Sequence, residues 1–382
     1  MNNRKKLKLG AAIEGVGFNY MGWRHPDMPS NASENIDYYV KQAKIAESGK
    51  FDTIFLFDVS HVGPGNIPHH LSMFEGISIL SALSMATTNI GLIATIATSY
   101  ADPFTAARQI LSLDKISKGR AGLNAITSNP GGMVNYSRSH LSKADQYPMQ
   151  KEFMEILLGL WDSYEDDAFI RDKANGIYLD PQKMHALRYR GKYFSVDGPL
   201  NLSRSIQGRP ALFTAGSSSN FVENAAKYTD GGFIASASLE YSKGIAAELR
   251  KRVALEGRST EDFIVVTSQM PIVGSTEAEA EEKFQEMQSL MPVYRIPRPL
   301  FFGSAEKVAD QVQEWYEAGT MDMLLIQQEY PTGLQDFVDL VVPILQDRGI
   351  FHTEYESNTL RGNLGLPYPE NKYSLLKGAL VE

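Results

Sequence analysis

Residues 120–128 read Arg-Ala-Gly-Leu-Asn-Ala-Ile-Thr-Ser and are followed by the turn-forming sequence Asn-Pro-Gly-Gly. A short apolar segment that ends in a turn is typical of a strand buried on both faces of a parallel sheet. Asn124, Thr127 and Ser128 are polar residues near its carboxyl end, and buried polar groups need hydrogen-bonding partners. Because ligands bind at the carboxyl ends of parallel strands, we expect these side chains to face a planar, polar-edged cofactor.

The same strand-and-helix pattern recurs along the whole chain. Helical patterns follow the strands, and Ser33 is expected to cap the first helix. A doubly wound sheet would have a Gly-rich phosphate turn after its first strand, but aromatic residues follow Gly17 here. The alternation therefore predicts an α/β protein built as a (β/α)8 TIM barrel. The predicted strands are 7–16, 51–57, 89–98, 120–128, 209–216, 232–238, 263–274 and 323–328.

Two segments depart from this alternation. Residues 1–351 are predicted to form one barrel domain, with an insertion at 165–208 after the fourth strand-helix unit. The insertion contains a predicted hairpin near 188–195, and we expect it to act as a lid or as a dimer-forming element. Residues 352–382 are punctuated by Pro and Gly and are expected to wrap the surface as a tail.

Composition restricts the classes of partner. The 382 residues include 37 Lys and Arg against 45 Asp and Glu, a net charge of −8 without a long basic block, which argues against nucleic acid as a partner. The absence of cysteine excludes disulfides and thiolate metal sites and is compatible with the cytoplasm. Neither a signal peptide nor an 18-residue apolar run is present, so we expect a cytoplasmic protein that does not enter membranes.

Several polar residues follow predicted strands. Asp58 ends the second strand at the expected barrel mouth, although it could equally be a cap or a loop ion pair. Thr95 and Thr98 lie near the end of the third strand, where packing alone also explains Thr. The run Ser217-Ser218-Ser219 follows the fifth strand and opens a helix. Helix amides and hydroxyls there could bind a phosphate, although a helix cap needs only one Ser.

The sequence leaves the roles of the histidines open. His140 lies in the polar loop after the fourth strand, and Tyr147 is expected to start the next helix. A single loop His is commonly solvated, so its position alone leaves both a structural and a catalytic reading open. His61, His69 and His70 lack the spacing of a metal site, and we predict no bound metal.

Several stretches together resemble the bacterial-luciferase-like flavin monooxygenases, in the branch that includes the nitrilotriacetate, dibenzothiophene-sulfone and alkane monooxygenases. They cover most of the chain in the same order as in the family. The stretches are 22–26 (Gly-Trp-Arg-His-Pro), 51–58 (Phe-Asp-Thr-Ile-Phe-Leu-Phe-Asp), 91–95 (Gly-Leu-Ile-Ala-Thr) continuing to 100, 119–128, 158–163 (Leu-Gly-Leu-Trp-Asp-Ser), 198–201 (Gly-Pro-Leu-Asn), 207–210 (Gln-Gly-Arg-Pro) and 337–343 (Phe-Val-Asp-Leu-Val-Val-Pro).

The resemblance implies an FMN-dependent monooxygenase of a two-component system. A separate NAD(P)H:flavin reductase would transiently supply reduced FMN, which reacts with O₂ at its C4a carbon to give a (hydro)peroxide. The protein would shield that species and offer it a small substrate of the thioether, sulfone, aminocarboxylate or alkane class. Relatives pair through barrel helices, so a homodimer or homotetramer is expected.

The resemblance also assigns roles to particular residues. The isoalloxazine ring would be lined by Asp58, Thr95 or Thr98, and Asn124, and the phosphate would be held by Tyr147, Ser217 and Ser218. His140 matches a loop histidine beside the flavin that serves as the acid/base group. The residues expected on the substrate side are Phe18, Trp23 and His25.

Two departures from the family leave the substrate open. Leu123 stands where the branch commonly has Trp, and the region between Glu277 and Gly303 is shorter than in relatives, where a helical insertion helps to cover the site. Alternatives are a deazaflavin-dependent oxidoreductase on the same barrel and a non-catalytic flavin-binding paralogue. A metal-dependent barrel hydrolase is disfavoured because no His-x-His or carboxylate cluster stands at the strand ends.

Overall fold

The computed structural model describes residues 5–59, 61–127, 132, 135–136, 141–291 and 295–376, with the backbone of the last helix continuing to 378. Within these residues the strands are β1 (Lys8–Ala12), β2 (Thr53–Phe55), β3 (Gly91–Ala97), β4 (Ala121–Ile126), β5 (Tyr189–Arg190), β6 (Ser195–Val196), β7 (Ala211–Ala215), β8 (Gly231–Phe233), β9 (Ile264–Gln269), β10 (Ile272–Gly274), β11 (Phe302–Ser304) and β12 (Met323–Gln327).

Helices lie between these strands and after the last one. They are α1 (Ile36–Ser48), α2 (Pro68–Leu71), α3 (Gly76–Ala86), α4 (Pro103–Ile116), α5 (Lys143–Trp161), α6 (Ser219–Tyr228), α7 (Leu239–Leu255), α8 (Glu277–Ser289), α9 (Ala305–Glu317), α10 (Gly333–Asp336), α11 (Val342–Asp347), α12 (Leu360–Leu364) and α13 (Lys372–Gly378). A π-helical turn, Phe337–Val341, joins α10 to α11. No helix in the described part of the chain is long and apolar enough to span a bilayer.

Eight strands form a closed parallel barrel in the order β1-β12-β9-β8-β7-β4-β3-β2. Each of them overlaps a predicted strand segment, although β8 begins one residue before its predicted range of 232–238, so the predicted (β/α)8 barrel is confirmed. Side chains alternate between the interior and the surrounding helices: Phe55 and Leu325 pack inside, whereas Ile54 and Leu324 pack outside. A polar side chain that lies an even number of residues from Phe55 or Leu325 in the same strand therefore also faces the interior.

Two local predictions are wrong. The segment 263–274 is not one strand: β9 belongs to the barrel, whereas β10 pairs with β11 in a separate two-stranded sheet. Pro271, which lies between them, has no N–H for a strand hydrogen bond. Ser33 does not cap α1 either, because Asn35 accepts the N–H groups of Asp37 and Tyr38 at 3.1 and 3.4 Å.

The start of α5 also differs from the prediction, which placed Tyr147 at its beginning. Tyr147 lies inside α5, which begins at Lys143 because the Ser142 hydroxyl accepts the N–H of Asp145 at 3.2 Å. Tyr147 therefore lies within α5 and not at the first residue of the helix.

The inserted hairpin of β5 and β6 is present and packs along the outside of α5. Glu152 of α5 accepts the backbone N–H groups of Lys192, Tyr193 and Phe194 at 2.8–3.1 Å. The hydroxyl of Tyr189 donates to Glu155 at 2.7 Å. These contacts hold the hairpin to the barrel's outer layer, and its role as a lid or dimer element stays a prediction.

The tail after residue 351 contributes to the barrel base. Leu360 of α12 is fully buried, and a Cβ atom built on Gly91 would lie only 2.3 Å from its Cδ1. Arg361 forms a two-pronged ion pair with Asp230, with distances of 2.6 and 3.0 Å. The amino-terminal end of the barrel is thus filled by the tail, while the carboxyl-terminal end is left for the predicted site.

Candidate functional site

The predicted site residues on β3 and β4 face each other across a strand pair. Thr95 and Asn124 are register partners, and the Asn124 side-chain amide donates to the Thr95 hydroxyl at 3.3 Å. The other amide atom, Asn124 Oδ1, is buried and has no hydrogen-bonding partner among the described residues. A buried acceptor without a partner is costly, so this atom fits a ligand that brings an N–H group.

Thr98 makes a different contact. Its hydroxyl donates to the carbonyl of Ile126 at 3.0 Å, and the same carbonyl accepts the Thr98 backbone N–H at 2.9 Å. The side chain is fully buried. Thr98 therefore ties the end of β3 to β4, and of the two threonines it is Thr95 that shares a contact with Asn124.

Asp58 lies beyond β2 beside a cleft of about 480 Å³ that Thr95 also lines. Its carboxylate accepts the Val59 N–H at 2.7 Å. Burial raises the pKa of Asp58 to about 6, and the charge of Glu75 acts in the same direction. Tyr100 and Tyr136, whose rings stack at 5.1 Å, line the same cleft. The carboxyl group can therefore change its protonation near neutral pH at the barrel mouth.

The predicted phosphate residues meet at the start of α6. The Ser218 hydroxyl donates to the Tyr147 hydroxyl at 2.9 Å and accepts the Phe221 N–H at 3.2 Å. Ser217 is exposed and lines a cleft of about 460 Å³ that also contains Arg252. The Arg252 guanidinium, 3.1 Å from Glu256, is a cation in this cleft that the sequence reading missed.

The three substrate-side residues lie in different environments. Phe18 reaches the mouth, with its ring 6.4 Å from Phe57 and 5.6 Å from His70. Trp23 is 44% exposed on the short turn Gly22–Arg24. His25 is only 3% exposed, with its Nε2 3.1 Å from the Glu286 carboxylate and its ring 5.0 Å from Tyr330. The structure thus brings Phe18 to the mouth and holds His25 against the loop after β12.

His140 lies outside the described residues, as does Ser128. The acid/base role of His140 therefore stays a prediction based on the family resemblance. In the described part of the chain, no group of three or more His, Asp or Glu side chains is arranged to hold a metal ion.

An aromatic floor beneath the mouth was missed by sequence reasoning. The rings of Phe55, Phe57 and Phe233 lie 5.6–6.1 Å from one another. Phe57 is in phase with the inward Phe55, a signal that was present in the apolar run 51–57. Phe233 belongs to a Gly-Gly-Phe strand that offers too few side chains to show an alternation.

Two buried carboxyl groups at the mouth were also missed. Glu14 is 3% exposed, and Gln327 donates to its Oε1 at 3.3 Å. Burial raises the pKa of Glu14 to about 8 and the pKa of Glu329 to about 7. Glu14 lies two positions after the inward Ala12, so the period of the strand could have revealed it.

Comparison with known proteins identifies similar chains over nearly the whole length. The family model described as luciferase-like monooxygenase matches residues 19–318. N-acetyl-S-(2-succino)cysteine monooxygenase from Bacillus subtilis (strain 168) is 37% identical over 98% of this chain and 99% of its own. Nitrilotriacetate monooxygenase component A from Aminobacter aminovorans is 32% identical, covering 97% and 99%.

A solved structure shows the same similarity in three dimensions. A riboflavin lyase crystallised with modified FMN and riboflavin superimposes with a TM-score of 0.85 at 27% identity, over 96% of this chain and 97% of the other. The alignment with the Bacillus protein runs over 438 positions, more than the 382 residues of this chain. That relative therefore has segments that are missing here, as the short 277–303 region suggests.

Proposed function

This chain belongs to the luciferase-like monooxygenase family, and from that premise we propose that it is the oxygenase component of a two-component, FMNH₂-dependent system that oxygenates a thioether. Enzymes of this family are flavin-dependent oxidoreductases.

The flavin position is supported above all by the unpartnered Oδ1 of Asn124. Flavin rings carry an N–H group on their polar edge, and this acceptor would meet it. Thr95 holds the other amide atom and thereby orients the side chain. At the far end, Tyr147 and Ser218 with the first amides of α6 would bind the phosphate.

Reduced FMN supplies the electrons with which O₂ is activated, and the protein supplies binding, orientation and protection from water. The aromatic floor of Phe55, Phe57 and Phe233 would exclude water from the side of the mouth that it lines when the flavin is bound. Asp58 can hold or release a proton near neutral pH at the edge of the same mouth. His140 remains the predicted acid/base group on the loop after β4.

The reductase is a proposed transient partner. The name of nitrilotriacetate monooxygenase component A states that this relative is one component of a larger system.

The thioether class is suggested by the relative that acts, by its name, on N-acetyl-S-(2-succino)cysteine. A mainly apolar cleft of about 330 Å³ at the mouth suits such a molecule, with Phe18, Tyr20 and Met270 in its wall. Arg298 lines the same cleft, lies 4.3 Å above the Phe302 ring and forms a half-exposed ion pair with Glu281 at 2.8 Å, which a substrate carboxylate would have to displace or share. Its guanidinium would pair with a substrate carboxylate, since arginine suits planar two-pronged recognition.

Substrate screening tests this proposal. The purified protein is supplied with FMN, NADH and a general flavin reductase, and the loss of each compound is measured with and without O₂. We expect an S-substituted N-acetylcysteine to be consumed in an O₂-dependent reaction, ahead of nitrilotriacetate, dibenzothiophene sulfone and a long alkane. Turnover with reduced deazaflavin and no O₂ uptake would instead establish the hydride-transfer alternative.

Arg298→Gln provides the matched variant for the substrate class. The substitution should raise the KM for a thioether that carries carboxylates and leave the KM for an uncharged dialkyl sulfide unchanged. Equal effects on both compounds would show that Arg298 does not recognise a carboxylate.

A further inference from the structure

Glu14 faces the interior of the barrel above β1. The side chains of Leu9, Ala11 and Ile13 pack outward against the helices, whereas Ala12 packs inward. A Cβ atom on Gly15 would meet Ser33 outside the barrel wall at 2.3 Å. Glu14, between Ile13 and Gly15, is therefore directed inward, to the side on which Gln327 contacts it.

The Glu14 carboxyl group is incompletely bonded although it is almost wholly buried. Gln327 donates to Oε1 at 3.3 Å, whereas Oε2 is buried without a partner among the described residues. Asn124 Oδ1 is in the same condition on β4. Glu14 follows β1 and Asn124 belongs to β4, and β2 and β3 lie between these two strands in the barrel wall. Both atoms are at the carboxyl-terminal end of the barrel.

These two atoms have complementary chemistry if Glu14 is protonated. Asn124 Oδ1 accepts a hydrogen bond, and a carboxylic acid donates one. The polar edge of an isoalloxazine ring carries both an N–H group and carbonyl oxygens. A single planar ligand of this kind would satisfy both buried groups, which have no protein partner among the described residues.

We propose that Glu14 is a flavin-binding residue that presents a protonated carboxyl group to a carbonyl oxygen of the isoalloxazine ring. The inference rests on the proposed function, because it requires the flavin to occupy the barrel mouth. It adds a residue to the site beyond those that the family resemblance assigned.

The phenols and the histidine near Glu14 keep one charge state between pH 7 and pH 9, whereas burial raises the pKa of Glu329 to about 7, so Glu329 also titrates close to this range. Burial raises the pKa of Tyr38 to about 12 and also raises that of Tyr39, so both α1 phenols stay neutral at pH 7–9. Burial lowers the pKa of His69, which contacts Ser33, to about 3, so it stays uncharged. Glu329 lies beyond β12, and its charge opposes ionisation of Glu14.

The first experiment measures the dissociation constant of FMN by fluorescence quenching between pH 7 and pH 9. The FMN phosphate is already a dianion above its second pKa of about 6. Burial raises the pKa of Glu14 to about 8, so the protonated form becomes scarce across this range. We expect the Kd to rise about tenfold from pH 7 to pH 9 in the unmodified protein.

The second experiment compares Glu14→Gln with Glu329→Gln. Glutamine keeps a donor and the shape of the side chain but does not titrate, so Glu14→Gln should bind FMN with a Kd that is nearly constant over the range. Glu329→Gln is the matched control, a buried carboxyl near the mouth, and should keep most of the pH dependence. Thermal unfolding verifies that both variants are folded.

The outcomes are distinguishable. A flat pH profile in the unmodified protein, or a slope that survives in Glu14→Gln and disappears in Glu329→Gln, overturns the role of Glu14 while leaving FMN binding intact. Failure of the unmodified protein to bind FMN at any pH, both oxidised and, under anaerobic conditions, reduced, would contradict the proposed function itself.

Discussion

Asn124 illustrates how one side chain in a buried strand can serve binding as well as packing. An apolar side chain would fill the same position without leaving a buried oxygen unpaired. Thr95 engages only the amide nitrogen, so the oxygen remains directed at the ligand space. An oxygen without a hydrogen-bonding partner destabilises the free protein, and a ligand that donates a hydrogen bond to it removes this destabilisation.

The first prediction concerns this atom. Asn124→Ala should raise the Kd for FMN by about tenfold, because one hydrogen bond to a buried acceptor contributes about 1 to 1.5 kcal/mol. Fluorescence quenching measures the affinity. Asn363→Ala is the control, since Asn363 is also a buried amide but lies beside Lys8 at the barrel base. An equal loss of affinity in both variants would point to general destabilisation.

A second prediction addresses the phosphate. Ser217→Asp places a carboxylate beside the opening of α6, where it should repel the FMN phosphate and raise the Kd tenfold or more, by roughly 1.4 kcal/mol. The control is Ser259→Asp, at the cap of the short turn Thr260–Asp262 near Lys5. Unchanged FMN affinity in Ser217→Asp would move the phosphate site elsewhere.

Among the secondary-structure elements, α12 differs most from its expected position, because the tail was expected to wrap the surface. It is only five residues long, yet Leu360 and Leu364 join the cluster that fills the barrel interior. Gly91 and Gly122 leave the space that Leu360 occupies at the start of β3 and β4. Leu360 and Leu364 thereby fill interior space at the barrel base that the side chains of the barrel strands do not fill.

The third prediction follows from this packing. Leu360→Ala should lower the free energy of unfolding by about 2 to 5 kcal/mol, because it opens a cavity in a well-packed interior. Urea unfolding measures the change, and the FMN affinity at the opposite end should stay the same. Leu376→Ala, in the exposed part of α13, should change stability by less than about 0.5 kcal/mol. Similar stabilities for the two variants would mean that α12 does not close the base.

For the molecule as a whole, buried acids at the mouth make stability depend on pH. Burial raises the pKa of Glu14 from 4.5 to about 8 and that of Glu329 from 4.5 to about 7. The folded state therefore holds protons that the unfolded chain has already released. The free energy of unfolding should fall as the pH rises from about 4.5 to 8.

The fourth prediction is that Glu14→Gln weakens this dependence. The unmodified protein should lose about 1.4 kcal/mol for each pH unit within this window through Glu14 alone, and the variant should lack that share. Urea unfolding at pH 5.5 and pH 7.5 measures it. Glu282→Gln, on the exposed face of α8, should behave like the unmodified protein. Parallel profiles for Glu14→Gln and the unmodified protein would contradict the buried-acid explanation.

The fifth prediction concerns assembly. The insertion exposes several large apolar side chains, among them Tyr178, which is 65% exposed, and Ile170. We expect sedimentation equilibrium to give two or four times the chain mass of 42.4 kDa. The double substitution Ile170→Glu and Tyr178→Glu should favour the monomer, whereas Tyr241→Glu on α7 should not. A monomer in the unmodified protein would refute the expectation.

Local patterns were sufficient for the strands and for part of the mouth. The barrel strands other than the Gly-Gly-Phe strand β8 lie in apolar runs that end in a turn, and a strand's direction decides which end of the barrel its last residues reach. Thr95 and Asn124 could therefore be placed together before their contact was seen. Pro271 and Asn35 are local signals as well, because Pro interrupts a strand and Asn is a preferred helix cap.

The amino-acid sequence alone determined the eight-stranded barrel and the polar ends of β3 and β4, because both depend on residues that are close together in the chain. Only the tertiary structure decided that α12 fills the base, that Phe233 meets Phe57, and that the Glu14 carboxyl is buried with one oxygen unmet. These features arise where distant segments remove a side chain from water, and burial is a property of the packed chain rather than of any local pattern.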